Sequence, residues 1–212
     1  MHWLDPDYLP ELNGTIDRFL PNPHGGADGM ILTDGTEVHF PPHMWGEIHT
    51  SMRPGARVKV RGVRPRSATL VAAVAIETAN GARIIDRGPP SDREQEKASE
   101  LADVSDRKPM QAEGVVQRAL HGPKGEVRGV LLEDGRLIRL PPQEAQRFAA
   151  LIVTGEHLVV RGEGLTMPAG TVIEAREIGA SVESLRRIAG KKPKHNEPKR
   201  EKRVPHGDDA HA

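Results

Sequence analysis

The stretch "DGTEVHFPPHMW", residues 34–45, joins a turn dipeptide to a short alternating segment and two adjacent prolines. A second version, "DGRLIRLPPQEA", occupies residues 134–145. Asp-Gly is a common hairpin dipeptide because both residues tolerate positive φ, so we predict a two-residue turn at Asp34-Gly35. The dipeptide and the prolines recur in the second version, whereas the histidines do not. The shared residues therefore indicate boundaries between secondary-structure elements: a hairpin turn, a strand, and a break at which a helix begins.

The segment after the turn has the period of two that is typical of a β-strand. Val38 and Phe40 would face the interior of a sheet, and Glu37 and His39 would face outward. The two prolines end this strand because proline has no N–H to donate to a ladder, and proline suits the first turn of a helix. Residues 43–52 follow with the apolar spacing of a short helix.

The chain contains two copies of one unit. Residues 14–62 align with residues 114–162 without a gap, and 15 of the 49 positions are identical. The identical positions in the first copy are Gly14, Arg18, Leu20, Pro23, Gly25, Gly29, Leu32, Asp34, Gly35, Pro41, Pro42, Gly55, Val60, Arg61 and Gly62. A spacing of 100 residues is much longer than the repeats of solenoid proteins, so the repeat indicates two duplicated domains.

Each copy contains five predicted strands and one helix in the order β-β-β-α-β-β. In the first copy the strands fall at residues 14–22, 28–40 (two strands), 53–62 and 70–77; in the second copy the last strand is at about 171–178. This is the element order of the OB-fold, a five-stranded Greek-key barrel. We therefore predict an all-β protein with two tandem five-stranded OB-fold-like barrels, each with a helix between strands 3 and 4. Another small β-barrel or sandwich with the same number of elements is the alternative.

The predicted organisation has six parts in chain order. They are an N-terminal segment (residues 1–12), barrel 1 (13–80), a charged linker (81–112), barrel 2 (113–180), a short helix (181–190) and a disordered basic C-terminal tail (191–212). The short helix is predicted because Ser181 suits an N-cap and Gly190 suits a C-terminal stop.

The composition excludes several classes of function. The chain has no cysteine, which excludes disulfides, thiolate catalysis and cysteine-ligated metals. The longest apolar run, residues 70–76, is too short to span a bilayer, and the acidic, proline-broken first residues lack the pattern of a secretory signal. We therefore expect a cytoplasmic protein that does not associate with a membrane.

The neutral net charge hides an uneven distribution. Residues 186–212 carry nine Lys and Arg against four Asp and Glu, whereas residues 1–185 carry 21 against 26. A basic tail on a mildly acidic body predicts an electrostatic partner for the tail.

The run "DGMILTDGTEVHFPPHMW", followed by "RPGARVKVRG", resembles an uncharacterised family of bacterial tandem OB-fold proteins that carry a D-G-T-x-V-x-F-P-P-H motif. The first copy matches the motif and includes its histidine, His43. The second copy has Arg128 in place of the first Asp and Gln143 in place of the motif histidine. The resemblance covers both barrels but neither the linker nor the tail. It implies the fold and no particular activity.

The motifs of common enzymes and metal sites are missing. The sequence has no G-x-S-x-G elbow, no phosphate-binding loop and no H-E-x-x-H. Four histidines cluster in the first copy, at positions 24, 39, 43 and 49, but a zinc site needs three or four converging ligands. The second copy places Arg139, Gln143 and Ala149 at the last three positions. We therefore predict no catalytic residues, no metal ligands and no cofactor.

A basic row in the fourth strand of barrel 1 favours nucleic-acid binding. Arg57, Lys59 and Arg61 alternate with apolar residues and would all point out of the barrel. The full predicted surface adds residues from the neighbouring loops, from other strands and from the tail: Arg18, His39, Arg64, Arg66, Lys191, Lys192, Lys194, Lys199, Arg200, Lys202 and Arg203. OB-folds bind single strands across strands 2 and 3 and the adjoining loops, and Lys and Arg there neutralise phosphates.

The low aromatic content argues for binding that is largely electrostatic. Only 3% of the residues are aromatic, and single-strand binding usually depends on aromatic stacking. Phe40 is expected inside the barrel, and Trp45 is expected to pack against the barrel base. We therefore predict a non-enzymatic module that binds single-stranded DNA or RNA. The alternative is a protein–protein interaction adaptor without nucleic-acid binding, in which barrel 2 and the linker contact the partner.

Overall fold

The computed structural model describes residues 5–65, 70–88 and 107–189. Barrel 1 has the strands β1 (Glu11–Pro21), β2 (Ala27–Leu32), β3 (Glu37–His39), β4 (Arg57–Val63) and β5 (Leu70–Thr78), with the helix α1 (Trp45–Ser51) between β3 and β4. A sixth strand, β6 (Arg83–Ile85), follows β5. Barrel 2 has the strands β7 (Lys108–His121), β8 (Val127–Leu132), β9 (Leu137–Arg139), β10 (His157–Met167) and β11 (Gly170–Gly179), the helix α2 (Pro142–Arg147) and the sixth strand β12 (Arg186–Arg187).

Both sheets close into barrels in the same way. In barrel 1 the neighbours run β3-β2-β1-β4-β5, and a parallel pairing of β3 with β5 closes the ring. In barrel 2 the neighbours run β10-β7-β8-β9-β11, and the pairing of β10 with β11 closes the ring. The parallel pairing recurs there between β9 and β11. The prediction of two five-stranded barrels with a helix after the third strand is confirmed.

The predicted strand faces are also confirmed in barrel 1. Val38 and Phe40 are 0% and 4% exposed and lie in the core with Met30 and Ile48. The residue that precedes each helical segment is a proline in extended conformation, and a second proline starts the first turn. The proline pair therefore ends the strand and starts the helix, as the sequence indicates.

The hairpin turn lies where it was predicted but has a different form. Only Gly35 of the Asp34-Gly35 pair has positive φ (+85°). Gly35 N donates to Leu32 O at 2.8 Å, and Leu32 N donates to Thr36 O at 2.9 Å. This is a three-residue loop with glycine in the left-handed position, so the predicted two-residue turn is wrong. Asp34 instead accepts the Thr36 N–H through its side chain at 2.9 Å.

The segment after barrel 2 differs from the predicted short helix. It contains a 3-10 turn at Val182–Ser184 and the two-residue strand β12. Ile188 is 8% exposed and packs into the barrel 2 core. The segment has few apolar residues, and it gains more from pairing with β11 than from forming an isolated helix.

Several predictions fall partly or wholly on residues outside the described ranges. The predicted linker is partly folded, because β6 and the start of β7 lie within it; its residues 89–106 are not described. The predicted basic tail, residues 191–212, also lies outside the described residues. None of the described helices is long and apolar enough to cross a bilayer.

The two barrels pack against each other through a third apolar cluster. Leu20 and Ile31 of barrel 1 meet Leu120 and Leu131 of barrel 2, and all four are at most 4% exposed. These residues occupy equivalent positions in the two copies. The interface is therefore nearly two-fold symmetric, as in an isologous dimer whose subunits share one chain. We call it the interbarrel interface.

Candidate nucleic-acid interface

The outer face of strands 2 and 3, where OB-folds commonly bind single strands, lies in the interbarrel interface. In barrel 1 this face carries Ile31, Glu37 and His39, which are 4%, 1% and 8% exposed. The prediction that Glu37 and His39 point away from the barrel core is right, but the second barrel covers them. The expectation that His39 is part of an exposed basic face is therefore wrong.

Glu37 is held by barrel 2 across the interface. The backbone N–H and the ring Nδ1 of His121 donate to its carboxylate at 2.9 and 3.1 Å. Arg118 donates from one guanidinium nitrogen to Glu37 at 3.1 Å and from another to Gly35 O at 2.8 Å. Burial raises the pKa of the Glu37 carboxyl, but its contacts with His39 and His121 outweigh burial and lower the pKa to about 2. Glu37 is therefore a buried carboxylate that ties the barrels together.

A second charged contact crosses the interface from the β1–β2 loop. Arg139 donates to Asp28 at 2.5 Å and to Pro21 O at 3.3 Å. Arg107, just before β7, donates to Pro23 O at 2.9 Å. In these contacts barrel 1 supplies the carboxylates of Glu37 and Asp28, and barrel 2 supplies the arginines and His121.

The basic row of β4 is largely neutralised by neighbouring carboxylates. Arg57, Lys59 and Arg61 do point out of the barrel, as predicted. Lys59 lies 3.8 Å from Glu11 and 3.7 Å from Glu77, and Arg61 binds Glu11 at 2.9 Å. Arg61 also contacts Asp7 at 3.3 Å, so it holds the N-terminal segment against the barrel. Of the three bases, only Arg57 has no ion pair with a described carboxylate.

The remaining predicted site residues lie in different places. Arg64 is exposed at the end of the described part of the β4–β5 connection. Arg18 contacts Asp17 at 2.8 Å. Arg66 and the seven basic tail residues from Lys191 to Arg203 are outside the described residues. The described members of the predicted set, Arg18, His39, Arg57, Lys59, Arg61 and Arg64, therefore do not form one continuous basic surface.

A cleft of about 430 Å³ opens beside helix α1, and we call it the α1 cleft. Its walls come from β1, the β1–β2 loop, α1 and the turn that follows it, and the β10–β11 turn of barrel 2. The lining residues are Arg18, Phe19, Gly26, Trp45, His49, Met52, Arg53, Pro54, Met167, Pro168 and Ala169. Two arginines and a histidine line it, and no described lining residue is acidic. An apolar cleft with basic groups suits a flat ligand that carries negative charge.

Aromatic rings form one wall of the α1 cleft. Trp45 packs edge-on against Phe19 with ring centroids 5.0 Å apart, and it stacks with His49 at 5.3 Å. The His49 side chain is exposed, and Trp45 is half-buried. His49 Nδ1 donates to Trp45 O at 2.9 Å, which fixes the orientation of the imidazole beside the indole. A ligand ring can extend this stack.

The β1–β2 loop approaches the tryptophan closely. A Cβ on Gly26 would overlap with Trp45 Cδ1, and Gly26 has a φ of +69°. Barrel 2 has Glu126 and Ala145 at the equivalent positions. The glycine and the tryptophan therefore form a matched pair that is present in barrel 1 alone.

The equivalent region of barrel 2 lacks the groups that form the cleft. Ala119, Ala145, Ala149 and Val153 replace Phe19, Trp45, His49 and Arg53, respectively. Several core positions keep their class between the copies, such as Val38 with Ile138 and Val58 with Leu158, whereas these four change from large or charged to small or apolar. The aligned copies therefore show in the sequence which large and charged residues are specific to barrel 1, and these residues line the cleft. Trp45 does pack against the core of barrel 1, as expected, but that expectation alone does not reveal the cleft beside it.

The clustered histidines of barrel 1 have separate partners. His43 Nε2 lies 3.0 Å from Asp86 Oδ1, His49 contacts the α1 backbone, and His39 lies in the interbarrel interface. Within residues 5–65, 70–88 and 107–189, no three His, Asp or Glu side chains are grouped so that they could hold a metal ion.

Comparisons with known proteins return likeness of structure only. No protein-family model matches the chain, and no curated protein matches it. A deletion and point mutant of the single-stranded DNA binding protein from Thermus aquaticus is 16% identical, covers 87% of this chain and 96% of its own, and has a TM-score of 0.24. The wild-type protein is also 16% identical, covers 86% and 94%, and has a TM-score of 0.23. Likeness this low carries no information about the ligand of this chain.

Proposed function

We propose that the protein is a non-enzymatic module that binds single-stranded nucleic acid, with one base held in the α1 cleft. The observation that supports this most is the lining of the α1 cleft. It combines an aromatic stack, in which the His49 ring is exposed, with two arginines, and none of its described lining residues is acidic. A stacked base gains about 1–3 kcal/mol in such sites and needs no particular sequence. The interbarrel interface covers the outer face of strands 2 and 3, which supports a site elsewhere on the molecule.

Each lining group has a role in this proposal. Trp45 and His49 stack with the base, and the apolar wall around Met52 excludes water from it. Arg53 contacts a neighbouring phosphate, and Arg18 contributes less because Asp17 lies 2.8 Å from its guanidinium. The proposal also counts Arg57, Arg64, Arg66 and the basic residues of the tail as electrostatic contacts for other phosphates. Lys59 and Arg61 contribute less because carboxylates already neutralise them.

The test is an anisotropy titration with labelled dT and U oligomers and a duplex of equal length. Barrel 2 supplies the substitutions, because it folds with Ala145, Ala149 and Val153. We expect the combined Trp45→Ala, His49→Ala and Arg53→Val variant to bind the single strands about tenfold or more weakly, from the loss of one stacked base. Thr50→Ala is the matched control, since position 150 is also alanine and Thr50 does not line the cleft.

Two further variants measure how much the basic tail and the basic row of β4 contribute to the affinity. Deletion of residues 191–212 should weaken binding of all sequences similarly and reduce the salt dependence. The Arg57/Lys59/Arg61→Ala variant should have a smaller effect than the cleft variant. No binding of the full chain to either oligomer at low salt would refute the proposal.

A protein-interaction adaptor is the second candidate, and the apolar part of the same cleft favours it. Phe19, Met52, Pro54 and Met167 would also accommodate an aromatic side chain of an acidic peptide. Recovery of a protein partner that depends on Trp45 and survives nuclease treatment, together with no oligonucleotide binding, would support this candidate.

A further inference from the structure

The turn between β10 and β11 reaches from barrel 2 onto barrel 1. Met167 and Pro168 line the α1 cleft, and Ala169 packs against the core of barrel 1. A Cβ on Gly170 would lie 3.6 Å from Pro21, at the end of β1. One wall of the cleft therefore belongs to barrel 2.

Barrel 2 also holds the β1–β2 loop, which contributes Gly26 to the cleft. Arg139 binds Asp28 and the carbonyl of Pro21, and Arg107 binds the carbonyl of Pro23. The two arginine side chains are only 12% and 17% exposed. These contacts flank the β1–β2 loop on both sides of Gly26, the residue that lies against Trp45. The position of the β1–β2 loop relative to the Trp45 ring therefore depends on arginines of barrel 2.

The equivalent region of barrel 2 has Ala145 and Ala149 in place of the stacked rings. Barrel 2 therefore shares the fold and the interface but lacks the aromatic groups of the α1 cleft. The two copies therefore have different tasks.

We infer that barrel 2 acts as a brace that holds the α1 cleft in the shape that binds a ligand, with Arg139 and Arg107 as positioning residues. This inference rests on the proposed function, since the ligand is the single strand named there. The coupling is reciprocal: a ligand that needs the docked barrels must also stabilise their docking.

The test compares binding of a labelled dT oligomer by full-length variants. Arg139→Ala and Asp28→Arg should each weaken binding about tenfold or more, because each removes a charge-assisted hydrogen bond at a mostly buried contact. The exchange Asp28→Arg with Arg139→Asp restores the pair and should recover most of the affinity. Arg161→Ala, on the exposed side of β10, is the matched control and should bind like the wild type. Full affinity in both single variants, or an exchange variant as weak as either, would overturn the inference.

A measurement without ligand separates this inference from the proposed function. The chain has two tryptophans, so Trp3→Phe leaves Trp45 as the only one. In that background Arg139→Ala should increase quenching of Trp45 by acrylamide, because the turn and the loop no longer cover the ring. Increased quenching in Arg139→Ala, with no dT binding by the unsubstituted full chain, would refute the proposed function. It would still support the inference that barrel 2 holds the α1 cleft in shape. If the wild type binds dT, and Arg139→Ala changes neither the quenching of Trp45 nor the affinity, the proposed function stands and the inference about barrel 2 is refuted.

Discussion

Four glycines at equivalent positions in the two copies mark places where one strand lies directly against the backbone of its neighbour. They are Gly29, Gly62, Gly129 and Gly162, and a Cβ at each would overlap with a carbonyl oxygen. At Gly62 and Gly162 the strand pairing also shifts register, as in a β-bulge. These glycines were visible as identities in the repeat, but their reason is steric and appears only when the strands are paired.

The first prediction tests this close approach. Gly162→Ala should lower the free energy of unfolding by about 1–3 kcal/mol, because the new methyl group must displace the backbone at Glu174. Gly46→Ala is the control, since Gly46 is helical with no atom within 4 Å of the added carbon, and it should be neutral or stabilise by up to about 1 kcal/mol. Urea denaturation measures both. Equal stability of the two variants would contradict the steric explanation.

The second prediction concerns the buried carboxylate of Glu37. Its folded pKa of about 2 lies below the usual 4.5, so its stabilising effect is complete above about pH 4.5 and declines as the pH falls towards 2. At neutral pH, Glu37→Gln should lower the free energy of unfolding by an amount on the order of 3 kcal/mol. The difference between wild type and variant should shrink between pH 5 and pH 2 in urea titrations. A difference that does not change with pH would show that the charge of Glu37 is not what stabilises the interface.

At the scale of elements, the sequence predicted what depends on local chemistry. The alternation around Val38 and the proline pair that follows define a strand end and a helix start in both copies, and the structure has them there. The predicted two-residue turn at Asp34-Gly35 was wrong because the pairing of the flanking strands gives a three-residue loop. The helix predicted after Ser181 was wrong because pairing with β11 competes with local helix formation.

The third prediction distinguishes the basic strand from the basic cleft. Arg61→Ala should lower the free energy of unfolding by about 0.5–1 kcal/mol, because it releases Asp7 and Glu11 at a partly exposed site. Its affinity for a dT oligomer should stay within about twofold of wild type. Arg53→Ala should leave stability unchanged and reduce the salt slope of binding by about 0.7, the value for one phosphate on a single strand. The opposite pattern would place the phosphate path on β4.

At the scale of the whole molecule, the duplication explains why the site could be predicted only in part. The partners of Glu37 and Asp28 come from the other barrel, far away in sequence, so no local pattern identifies the face of strands 2 and 3 as buried. The ion pairs of Lys59 are likewise formed across strands. Arg18 is the predicted residue that also lines the α1 cleft.

The fourth prediction tests the interbarrel interface as a packed core. Leu120 is 0% exposed and lies in the cluster shared by the barrels. Leu120→Ala should lower the free energy of unfolding by about 2–5 kcal/mol, as for other buried leucines. Exposed Val153→Ala is the control and should change it by less than about 0.5 kcal/mol. A similarly small loss for Leu120→Ala would contradict a tightly packed interface.

The most direct test of the central claim is the fluorescence of Trp45 during a titration with unlabelled dT oligomer, in the Trp3→Phe background. A base stacked in the α1 cleft should quench this tryptophan saturably, and raising the salt concentration should shift the curve to higher oligomer concentration. A duplex of the same length should have little effect, because its bases are already stacked. An emission that stays unchanged while anisotropy reports saturable binding of the same oligomer would contradict the claim that the α1 cleft is the site.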